Sequence, residues 1–159
     1  MTRSPVLATC LVAALCASAL FPRGSVHAAA ATSAWTANGA TACAKYLTPA
    51  VTAAIVNGPV NPPKQTGPNM CSAHPLYLTL KVMDGGAAAF RQQMPMIADA
   101  HPIGGIGDAA YWNGAGTMSS VQGDRECTIS ILLPSDAKLS GAALAEKFGA
   151  ICNQLFVLP

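Results

Sequence analysis

The sequence predicts an α+β domain in which a four-stranded antiparallel sheet carries helices packed on one face, in the order α-β-α-β-β-β-α. Three observations carry that expectation. Leu76, Leu78, Leu80 and Val82 alternate with Tyr77, Thr79 and Lys81, the period of a half-buried strand. After Asp108 three short runs, "AAYW", "TMSSVQ" and "CTISILL", are separated by Asn113-Gly114 and Gly123-Asp124, turn chemistry that suits an antiparallel meander. Near the end, Leu144, Phe148, Ile151 and Leu155 recur at helical spacing on one face. A strand stripe and a helix stripe each need the other for burial, so the two periodicities belong to one core.

Each element follows from local chemistry. Thr48 before Pro49 signals a helix start, and "AVTAAIV" continues it to Asn57-Gly58, which ends it. "VNPPKQTGPN" reads as an exposed loop, because its prolines and glycine rule out a central strand. The alternating strand comes next. "GGAAAFRQQM" is then a short helix with Phe90 inward, ended before Pro95. Pro95 and Pro102 break "MPMIADAHPI", the meander follows, and Ser140 caps the last helix. The buried face is expected to carry Leu78, Leu80, Ile129 and Ile131, or their immediate alternates, against Leu144, Phe148 and Ile151.

Residues 1–28 have a basic start at Arg3, an apolar run from Val6 to Leu20 and a small-residue tail, the pattern of a secretory signal peptide. The run is shorter than the ~20 residues of a membrane span, and Thr9 and Leu15 before Cys10 and Cys16 do not suit lipid attachment. Residues 29–42 read as a flexible lead-in whose Trp35 can fold back onto the domain, and 43–159 as a single domain. Arg3 and Arg23 account for the whole formal charge of +2, leaving seven basic against seven acidic residues after the leader. A neutral domain has no field to gather phosphates, which argues against nucleic acid as a partner. Cys43, Cys71, Cys127 and Cys152 remain, and in an exported chain they point to paired disulfides. Placement of the elements favours Cys43 with Cys71 and Cys127 with Cys152; the nested pairing of Cys43 with Cys152 and Cys71 with Cys127 is the rival. No C-x-x-C spacing supports a metal site among them.

"HPIGGIGDAAYW", residues 101–112, contains G-x-G-x-x-A at Gly105, Gly107 and Ala110. A dinucleotide loop must follow a buried parallel strand and open a helix. Here a proline-broken segment precedes it and an aromatic strand follows, so no cofactor is expected, and Gly104, Gly105, Gly107 and Asp108 read as a structural loop entering a strand. With "LTPA" after the first cysteine, a cysteine entering the first strand, "AAAF", "PIGGIGDAAYW" and "ALAEKF", the stretch from Cys43 to Leu155 resembles a family of small exported bacterial domains of unknown function. They are similar to the PsbP-like α+β fold and often belong to the cell envelope. The resemblance implies no catalytic residues. The proline-rich loop from Pro59 to Pro68 and the pair Cys127 and Cys152 depart from the pattern.

Catalytic chemistry finds little material. No G-x-S-x-G elbow occurs, and His74 and His101 both precede prolines in loop-like contexts. The acids sit in turns or on the helix exterior; Asp108 is expected to bond backbone N–H groups, and Asp124 and Glu126 to be solvated beside their turn. Met94, Met96 and His101 form an alternative soft-metal set of the kind Cu(I) accepts, though methionines also fill cores. The expected function is therefore a periplasmic or secreted, non-catalytic binding or interaction module for a protein or envelope ligand, without a membrane span in the mature chain. A copper-binding protein and a small secreted enzyme are the alternatives.

Overall fold

The computed structural model describes residues 35, 36, 39, 41–132 and 141–158. The signal peptide expected over residues 1–28 and the cap expected at Ser140 lie outside them. Helix α1 covers residues 41–46, followed by α2 (Pro49–Val56), β1 (Lys64–Gly67), β2 (Met70–Ala73) and β3 (Leu76–Val82). Helix α3 (Gly86–Gln93) and a single 3-10 turn (Met94–Met96) lead to β4 (His101–Ile103), β5 (Ala109–Asn113), β6 (Thr117–Gln122), β7 (Arg125–Ile131) and α4 (Gly141–Phe156). The strands described make one sheet in the order β1-β2-β3-β7-β6-β5-β4, antiparallel at every pairing.

Seven strands therefore replace the four expected, and the reason lies at the edges. The expected strands are the central ones, β3-β7-β6-β5. Strands β1 and β2 come from the segment read as a loop and its continuation, and β4 from the segment read as broken by Pro102. A proline costs a central strand a ladder bond, but an edge strand tolerates it where the missing N–H would face solvent. Both β1 and β4 are edges, and β1 is only four residues long with a register shift between Gln65 and Gly67.

The helices also depart from the one-sided arrangement. Leu76, Leu78, Leu80, Ile129 and Ile131 point to the face that buries Leu144, Phe148, Ile151 and Leu155 of α4, with Tyr46 and Leu47 from the α1 end in the same core. Phe90 of α3 instead packs with Met83 and Val121, flanked by Ala109 and Tyr111. Ala109 and Tyr111 alternate along β5 with Ala110 and Trp112, which belong to the main core. Because successive strand residues face opposite ways, α3 lies on the other side of the sheet. The short apolar face of α3 carries no periodic signal that says which side it will take.

Local start and stop signals hold where they are described. Thr48 Oγ1 accepts from Val51 N–H at 3.3 Å, Pro49 opens α2, and Asn57 ends it in the left-handed region at φ 51°. Within the stretch expected as a lead-in, Trp35 is 0% exposed: its ring stacks 5.7 Å from Phe156, and its Nε1–H donates to Lys81 O at 3.1 Å. Arg125 lies over the same indole and donates to Phe156 O and Leu158 O, closing the C-terminal end of α4. No helix among the described residues is long and apolar enough to cross a membrane.

Candidate functional site

The segment 104–108 turns from β4 into β5 against α4, and each contact has a steric reason. Ile106 is buried and its side chain lies on Gly149, where an added Cβ would collide with it. Gly141 gives the same clearance to the Trp112 indole. Gly141, Ala145 and Gly149 are spaced by four, so one face of α4 is pared down to let this loop and strand approach. Asn153, one turn further, accepts from Gly107 N–H and donates to Gly105 O, both at 3.0 Å.

Gly107 has φ 51°, and a Cβ there would meet Val121 O. Asp108 N–H donates to Val121 O, and Asp108 Oδ2 accepts from Gly123 N–H, both at 2.7 Å. The Arg91 guanidinium of α3 donates to Asp108 O, so the loop is held from both layers. Gly107 and Asp108 N–H serve Asn153 and Val121, and the chain continues into β5 rather than into the helix that a dinucleotide loop opens. Replacing Gly107 with Ala is expected to cost at least ~1 kcal/mol in urea unfolding, from left-handed strain and the clash with Val121. Neither wild type nor variant should show saturable NAD binding, and such binding by wild type would refute the architectural role.

Between this loop and α4 lies a groove of about 840 Å³. Ile103, Ile106 and Trp112 form one wall, Gly141, Ala142, Ala145, Gly149 and Ala150 the other, and His101, Glu146 and Asn153 the polar positions. Among the described residues its lining supplies one imidazole, one carboxylate and one amide, with no hydroxyl, thiol or amine side chain.

The remaining candidate residues are dispersed. Met94 packs against the Phe90 cluster, while Met96 is 77% exposed and His101 is an exposed residue of β4, so core packing already accounts for one member of the proposed soft-metal set. His74 is exposed at the turn between β2 and β3, edge-on to Tyr77. Asp124 is exposed, but Glu126, expected to be solvated, is 5% exposed; it pairs with Lys81 Nζ at 3.0 Å and accepts from Thr128 Oγ1. Its strand position, not its nearness to a turn, decides that, because it sits between Lys81 on β3 and Val121 on β6.

Cys127 and Cys152 are disulfide-bonded, with Cα atoms 5.8 Å apart, joining β7 to α4. Cys43 and Cys71, expected as a second disulfide, are buried free thiols. Burial first, and then the Cys43 side chain, pushes the Cys71 thiol well above its ordinary range. Sequence reasoning missed Asn153 and the Ile106–Gly149 fit. A mid-helix Asn is a poor helix former, and its presence on α4 was the available signal.

By fold and site this is a disulfide-bonded α+β domain with a largely apolar groove between a sheet edge and a helix. Comparison of the chain with protein-family models, with curated proteins and with solved structures finds no match.

Proposed function

We propose that the protein is an exported, non-catalytic binding domain whose ligand occupies the groove between β4, the segment 104–107 and α4. The observation that carries this reading is the groove itself: its volume falls within the ~300–1,000 Å³ of small-molecule sites, and its walls are apolar with few polar positions. The leader-like sequence of residues 1–28 and the Cys127–Cys152 bond support export, as does the resemblance of "GIGDAAYW" to PsbP-like envelope domains.

The ligand class follows from the edge and the charge. Pro102 sits at the middle of edge strand β4, where it offers no N–H, and so discourages an added strand. Among the described residues no lysine or arginine lines the groove, which disfavours phosphates and other anions. A compact, mainly apolar, uncharged molecule fits best.

Nile red, a neutral apolar dye, is expected to bind wild type with saturable emission enhancement. Ala142→Trp, at an exposed groove position outside the core, should weaken that binding at least about tenfold, which is ~1.4 kcal/mol, with an unchanged circular dichroism spectrum. Equal binding by the two proteins, or none by wild type, would remove the groove as the site.

A further inference from the structure

Among the described residues, two cysteine sulfurs lie near one another without a bond. Cys43 belongs to α1 and Cys71 to β2; they are 3% and 0% exposed. Cys43 Sγ lies 3.7 Å from Lys64 O and 3.9 Å from Ser72 O. Lys64 and Ser72 are partners across the β1–β2 ladder and Ser72 follows Cys71 on β2, so this sulfur sits over the hairpin beside Cys71. No group of three His, Cys, Asp or Glu able to hold a metal occurs among the described residues, so the pair lacks the further ligands of a tetrahedral metal centre.

We propose that Cys43 and Cys71 are a redox-governed second staple, a dithiol that closes to a disulfide by exchange with a disulfide reagent and ties α1 to the sheet edge while Cys127–Cys152 stays closed. Cys43 loses its proton to water, and its thiolate attacks one sulfur of the reagent and expels the other as a thiolate, giving a mixed disulfide; the expelled thiolates take up the released protons. Cys71 loses its proton to water and attacks the Cys43 sulfur, forming the protein bond and expelling the second reagent thiolate. The two cysteines are oxidised, and the reagent disulfide is reduced to two thiols.

The two pairs differ in how the reagent reaches them. Cys127 lies on β7, flanked by β3 and β6, and is covered by α4. Cys71 lies on β2, with only the short, exposed β1 between it and the sheet edge. Elements at an edge open with less loss of packing than a central strand, so the outer pair can exchange without global unfolding.

The full chain without its leader, held natively in glutathione buffers of graded ratio, then quenched by alkylation, tests this. Under reducing ratios, alkylation should mark Cys43 and Cys71 and leave Cys127–Cys152 intact. Under oxidising ratios, two hydrogens should be lost, non-reducing peptide mapping should link Cys43 to Cys71, and melting should rise by about 5 °C or more. Cys71→Ala should instead collect one glutathione on Cys43. Reduced protein should also lose stability as pH rises past ~8.5, since the unfolded chain releases the Cys71 proton more readily than the fold does, and closing the bond should abolish that loss. Two free thiols under the most oxidising ratio, closure of both pairs at one common ratio, or an unmodified Cys71→Ala protein would each overturn the proposal.

Discussion

Phe148→Ala is expected to cost the fold ~3 to 5 kcal/mol, the range for deleting a buried aromatic ring. Phe148 is fully buried at the middle of α4, and its ring lies 6.0 Å from that of Trp112 on β5. The cavity has little room to collapse, because the central strands on that face are fixed by pairing on both sides and α4 is fastened to β7 by the disulfide. Urea unfolding followed by circular dichroism measures the loss. A difference below about 1 kcal/mol would show that α4 does not close this core.

Removing the staple itself, in the double variant Cys127→Ala and Cys152→Ala, is expected to lower stability by ~3 kcal/mol in the chain-entropy treatment of a bond whose cysteines are 25 residues apart. Replacing both cysteines avoids leaving one reactive thiol in the core. The variant should fold, because α4 still buries Leu144, Phe148, Ile151 and Leu155. In a mildly reducing buffer that keeps Cys43 and Cys71 as thiols, its urea midpoint should fall below the wild-type one, and a strong reductant should then lower only the wild-type midpoint. An equal response of the two proteins to reductant would place the stabilising bond elsewhere.

The groove was only partly legible. The segment "GIGDAAYW" stood out in the sequence as architectural, and Gly107 has the positive φ and close approach that such a role demands. Its partners did not stand out: Asn153 is 46 residues away from Gly107, and its two bonds to the loop depend on α4 lying across the β4–β5 end of the sheet. The pairing of Cys43 with Cys71 was placed by reasoning about where elements begin, and the structure brings those sulfurs together as thiols.

What the sequence determined by itself is whatever repeats over one element's own length. The alternation of β3, the turn pairs of the meander, the Thr48-Pro49 start and Asn57 stop of α2, and the apolar stripe of α4 are properties of consecutive residues, and each is present in the fold. Tertiary structure decided the rest. Strands β1, β2 and β4 are three or four residues long, too short to show a period, and they become strands because a neighbour offers a ladder to pair with. The side taken by α3, the burial of Glu126 and the groove beside α4 have the same origin, since each depends on which distant residues the completed sheet sets next to them.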